Sequence, residues 1–138
     1  METGQKEHDI LLPPTNKVLF RKQMQSELDE IRQEAEEAYA LDNEIDPVPD
    51  SAYDDTYYLL DILFDNNVPM PDFGWTEDGS LGLEWRPKKG IATIGIYGDN
   101  LVIFGAFFEE NRQVEGICEL SDTPMLSSFL TTLLNILK

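Results

Sequence analysis

The sequence predicts an α+β fold: two N-terminal helices, an antiparallel meander of four to five strands, and one C-terminal helix packed on the sheet. Three observations carry this expectation. A stretch free of glycine and proline, Lys17 to about Leu41, repeats apolar residues at helical spacing. After Pro71 the apolar period changes to two and is interrupted by turn sequences. The chain then returns to a broad apolar stripe behind Ser121-Asp122-Thr123-Pro124, a helix start with proline at the first helical position.

Residues 1–16 carry mixed charge and Pro13-Pro14, which predicts an irregular N-terminal arm ahead of a single domain over 17–138. In the first helix, Phe20, Met24, Leu28, Ile31, Ala35 and Ala38 form a narrow apolar seam. Met24, Leu28, Ile31 and Ala35 can pack on the domain's own sheet or meet the same helix of a second chain, which would give a homodimer. Asp42 to Asp50 form a proline-bounded acidic loop, and Asp50 or Ser51 is placed to cap a second helix running to about Asn66. Tyr53, Tyr57, Leu60 and Phe64, widened by Leu59, Ile62 and Leu63, predict that most of this helix is buried.

Strands are expected at 73–76, 81–86, 91–97, 101–109 and 114–120. Asp78-Gly79 is a hairpin signal, since glycine accepts the positive φ of a type I′ turn or a bulge. The other connections, Pro87-Lys88-Lys89-Gly90, Gly98-Asp99-Asn100 and Asn111-Arg112-Gln113, are too short for parallel crossovers, so neighbours must be antiparallel. Leu81, Leu83 and Trp85 fall on one face. Leu126, Phe129, Leu130, Leu133, Leu134 and Leu137 give the last helix the stripe that covers the sheet.

A chain of 138 residues with 41% hydrophobic content is large enough to bury one core without metal or disulfide support. Ile10-Leu11-Leu12, ended by prolines, is too short for a secretory signal, and no apolar run approaches a membrane span. A cytoplasmic protein that does not engage membranes is therefore expected. Cys118 is the only cysteine and sits in an apolar strand pattern, where a core thiol is expected. His8 is the only histidine, which disfavours a Ser-His-Asp triad, a Cys-His pair or a multi-histidine metal site.

Charge is the most informative property. The net charge is −17, and between Gln23 and Trp85 there are 18 acidic residues against one cation, Arg32; outside that window acids and bases balance. Such a field repels nucleic-acid phosphates and attracts cationic partners, so direct nucleic-acid binding is not expected and a basic protein partner is. The candidate contacts are Glu27, Glu30, Glu34, Glu37, Asp42, Glu44, Asp46 and Asp50. The bland alternative is a surface that only keeps the protein soluble.

No catalytic, cofactor or metal site is legible, and the expectation is a non-enzymatic interaction protein of antitoxin, immunity or inhibitory type. Asp42 to Asp55 lack the glycine and terminal glutamate of a calcium loop, and no glycine cluster joins a strand to a helix as phosphate loops do. A rival reading, a small carboxylate-based hydrolase or ligand-binding protein, would draw on Asp54, Asp55, Asp61, Glu84 and Asp99. A third is a homo-oligomeric structural protein.

Pro47-Val48-Pro49-Asp50-Ser51, Val68-Pro69-Met70-Pro71, Asp78-Gly79-Ser80-Leu81-Gly82-Leu83-Glu84-Trp85 and Ile94-Gly95-Ile96-Tyr97-Gly98-Asp99 resemble a family of small bacterial proteins that has no established activity. The likeness covers roughly residues 45–120. It departs at Thr76 and Glu77, where the family usually has proline, and before Pro47, where many members carry a Gly-Trp-Asp-Gly-Tyr-Gly-like stretch. The resemblance implies a bacterial origin and the Asp-Gly hairpin, and assigns no catalytic residue.

Overall fold

A computed structural model of the chain describes residues 8–109 and 111–137. The elements follow the order α1 (His8–Leu41), α2 (Asp50–Asp65), β1 (Asp72–Trp75), β2 (Leu81–Trp85), β3 (Gly90–Gly98), β4 (Leu101–Phe108), β5 (Arg112–Glu119) and α3 (Thr123–Ile136). The α+β meander is as the residue pattern requires, with five strands in the order β1-β2-β3-β4-β5, every neighbouring pair antiparallel.

Two local expectations are corrected. Helix α1 begins at His8, inside the segment expected to be irregular; residues 1–7 of that arm lie outside the described residues. Pro13 and Pro14 fall inside this helix, past its first turn, where each removes a backbone donor and opposes regular helix geometry. The N-cap of α2 is Pro49, extended at φ −71° and ψ 154°, and no side chain caps the helix. Ser51 Oγ instead accepts the Asp99 backbone N–H at 3.3 Å, which ties α2 to the β3–β4 turn. Asp50 lies in the first turn, where a negative charge meets the positive end of the helix dipole.

The turns obey backbone sterics. Gly79 has φ +85°, its N–H donates to Thr76 O at 3.2 Å, and the Thr76 N–H donates to Ser80 O at 2.9 Å, the bonding of a bulged hairpin. Gly98 has φ +95°, and a Cβ there would lie 2.5 Å from Ser51 Oγ. The β4–β5 turn places Glu109 and Asn111 at positive φ, which tightens it and starts β5 at Arg112 rather than Val114.

One sheet face carries the core. Leu81, Leu83 and Trp85 of β2, Ala92, Ile94 and Ile96 of β3, and Val102, Phe104 and Ala106 of β4 are all buried, with Cys118 of β5 as expected. Helix α2 lies over β2 and β3, α3 packs on β4, and α1 packs against β1 and α2. The rings of Phe104 and Phe129 lie 4.3 Å apart between β4 and α3, and those of Phe20 and Phe64 lie 4.7 Å apart between α1 and α2. Helix α2 buries a narrower face than expected: Ala52, Tyr53, Thr56, Leu59, Leu60 and Leu63 are inside, while Tyr57 and Tyr58 are exposed.

The α1 seam is used within the chain. Met24, Leu28 and Ala35 are buried and Ile31 is partly buried against the same core. These residues are thus not an exposed seam for a second chain, because α2 and β1 already occupy the face they present.

Candidate functional site

The acidic surface is built from three pieces of backbone. On α1, Glu27, Glu30, Glu34 and Glu37 follow one another at spacings of three, four and three, which places them on one helical face. Glu30, Glu34 and Glu37 are exposed, and Glu27 is half-buried beside the core seam. Beyond Leu41 the chain turns, with Asp42 Oδ1 accepting the Glu44 N–H at 3.0 Å. The loop is then pinned across the molecule, the Asp46 N–H donating to Glu77 O at 2.9 Å. That bond brings Asp46 beside the β1–β2 turn, although it and Glu77 are 31 positions apart in sequence.

A second set of acids joins at the same end, which sequence reasoning did not place there. Asp55 Oδ2 accepts the Asn100 N–H at 2.8 Å, and Ser51 holds Asp99, so the start of α2 and the β3–β4 turn close on each other. Asp78 accepts hydrogen bonds from Thr76, from Ser80 Oγ at 2.8 Å and from Tyr97 Oη at 3.1 Å. The Thr76 and Ser80 hydroxyls hold its carboxyl below the ordinary aspartate range, with Tyr97 adding to the effect. The signal in the sequence was Asp78-Gly79 and Gly98-Asp99, read there chiefly as turn chemistry; their proximity depends on long-range packing.

Ion pairing removes part of the expected field elsewhere. Lys17 Nζ lies 2.8 Å from Asp65, and Arg21 grips Asp61 through two bonds, Nε at 3.1 Å and Nη2 at 2.9 Å. Arg32 bonds both Glu36 and Asp50 and lies over the Tyr53 ring, 4.5 Å from its centroid. Asp50, a candidate contact, is therefore engaged by Arg32 within the chain. The C-terminal half of α2 is largely neutralised, while the α1 face and the loop end keep their charge.

Of the residues of the rival hydrolase reading, Asp55 and Asp99 come together where α2 closes on the β3–β4 turn, while Asp61 and Glu84 lie elsewhere. Asp61 is held by Arg21, Glu84 by Arg86, and Asp55 by a backbone N–H. Among the described residues no group of three or more His, Cys, Asp or Glu is arranged to hold a metal ion. No described helix is long and apolar enough to cross a membrane. Burial pushes the Cys118 thiol up, with Asp122 adding to the shift, so the sulfur favours its protonated form. A scan against protein families, a search of curated proteins and a search of solved structures each return no match.

Proposed function

We propose that the protein is a non-enzymatic, acidic interaction protein that holds a basic protein surface against the α1 face and the 42–49 loop. The observation that carries the reading is the bond from Asp46 to Glu77, which turns acids distant in sequence into one anionic end of the molecule. Glu27, Glu30, Glu34, Glu37, Asp42, Glu44 and Asp46 are its primary contacts, and Asp50 contributes once Arg32 is drawn away.

Carboxylates on a helix and a pinned loop are preorganised, so a cationic partner meets a fixed field rather than a set of mobile tails. The field accelerates encounter and is screened by salt over about 10 Å at 0.1 M ionic strength. A partner whose own nucleic-acid-binding or catalytic cleft is basic would be blocked by such a surface, which gives the antitoxin-like or inhibitory role. The reading assigns a cytoplasmic, reducing location, in keeping with one buried thiol.

Binding of a lysine- and arginine-rich protein, measured by calorimetry across a salt series, tests the proposal. Reversal of Glu30, Glu34, Glu37 and Glu44 to lysine is expected to abolish binding and flatten the salt dependence. Retained affinity with an unchanged salt slope would refute it.

A further inference from the structure

Among the described residues no helix packs on the second face of the sheet, and its composition differs from that of the acidic end. Register places Gly74, Gly82, Gly95, Ile103 and Ile117 in one row across β1 to β5. These positions alternate with the core residues, so the row lies on the face opposite α2 and α3. At its β4–β5 end the row is apolar and bare: Ile103 is 39% exposed, Ile117 56%, and Phe107, two pleats from Ile103 on the same strand, 52%. At its β1–β2 end the row is a floor without side chains, since no atom lies within 4 Å of where a Cβ of Gly74 or Gly82 would be. A hollow of about 380 Å3 stands there, bounded by Asp72, Glu84 and Thr93 on one side and Thr76, Asp78 and Tyr97 on the other.

Charge decides what can cover this face. Its carboxylates are Asp72, Glu84, Glu115 and Glu119, and no lysine or arginine occupies an open-face position of the five strands among the described residues. The cations at its rim follow β2: Arg86 is bound to Glu84, and Lys88 and Lys89 line the edge beyond Asp72 and Glu84. A second copy docked by a two-fold axis would bring the same carboxylates against each other, and an anionic bilayer would be repelled likewise. A partner must therefore be apolar where it meets Ile103, Phe107 and Ile117 and cationic around them.

We infer that the open sheet face is a second docking surface, and that its occupant is a basic amphipathic segment of a partner protein. The apolar side of the segment seats on Ile103, Phe107 and Ile117, and a lysine or arginine stem lies along the glycine floor to reach Asp72 and Asp78, with Glu84 joining once Arg86 is displaced. The glycines are what make this last contact accessible: a side chain at Gly74 or Gly82 would fill the hollow. The surface is distinct from the α1 face and the loop, and it stands whether or not those acids bind anything.

The probe is a synthetic amphipathic helix of leucine and lysine, titrated into isotope-labelled protein and followed by NMR, with a leucine and glutamate helix as the matched control. Shifts centred on Ile103, Phe107 and Ile117, absent with the glutamate helix, are the expected result. Phe107→Lys with Ile117→Lys is expected to weaken binding about tenfold, as loss of an apolar anchor does. Gly82→Val, which fills the hollow and leaves the anchors in place, is expected to weaken it less. Reversal of Glu30, Glu34 and Glu37 is expected to leave the sheet-face shifts in place, which separates this surface from the α1 contacts. Shifts confined to α1 and the loop, equal response to the glutamate helix, or sheet-face shifts that appear on concentrating the protein alone would each overturn the inference. The shift map is read on the wild-type chain, so an unstable variant does not decide it.

Discussion

Asp78 shows how a single residue can join turn chemistry to the field of the molecule. Its carboxylate organises the β1–β2 turn through Thr76 and Ser80 and reaches β3 through Tyr97. Its pKa is lowered in the folded protein, so the charged form contributes stability above the ordinary aspartate value, and that contribution is lost as pH falls through the depressed folded value. Asp78→Asn is expected to cost roughly 1 kcal/mol at neutral pH. It should also reduce the difference between denaturation midpoints measured at pH 7 and in acid below the aspartate range; an unchanged difference would assign the acid sensitivity to other carboxylates. Asp78-Gly79 announced a turn in the sequence, but its bond to Tyr97 was not legible, because it depends on register across β2. Leu28 was legible as apolar and open as to partner. It is 2% exposed within the chain, so Leu28→Ala is expected to destabilise by about 2–5 kcal/mol in chemical denaturation, without any change of solution mass.

At the scale of elements, periodicity found what local rules govern and missed what packing decides. The five strands and three helices follow from period-two and helical spacing, with Gly79 and Gly98 marking turns that need positive φ. Packing decided the α2 cap, because Ser51 serves the β3–β4 turn instead, and it decided how much of α2 is covered. Helix α1 extends back past Pro13 and Pro14, which sequence reasoning took as an end because interior proline opposes a helix. Cross-element pairing also explains why Asp50 is less available than Asp42 or Glu44: Arg32, the one cation between Gln23 and Trp85, already bonds it. These groups are exposed, so Arg32→Gln is expected to change stability by less than about 1 kcal/mol. It frees Asp50 and Glu36, and affinity for a basic partner should rise at low salt, measured by titration calorimetry. A fall in affinity would mean that Arg32 supports the binding geometry.

The whole molecule has a divided surface. Arg21 and Lys17, which lie before the acidic window in sequence, fold back onto Asp61 and Asp65, while at the other end of α2 the loop and hairpin acids gather with Arg32 bonded to Asp50. The segregation of charge was legible from residue counts; its concentration at one end was not, since it depends on which acids the cations reach. Burial of Cys118 on the core side of the edge strand β5 predicts that the native protein resists thiol reagents and reacts once unfolded, a comparison that a colorimetric thiol assay makes directly.

The most direct measurement is affinity capture of the tagged protein from its own host, at low and at high salt, alongside the variant with Glu30, Glu34, Glu37 and Glu44 reversed to lysine. A stoichiometric basic protein retained by the wild type at low salt, released at high salt and absent from the variant is the predicted result. The same partner held equally by both proteins, or no protein held by either, would contradict a function carried by the acidic face.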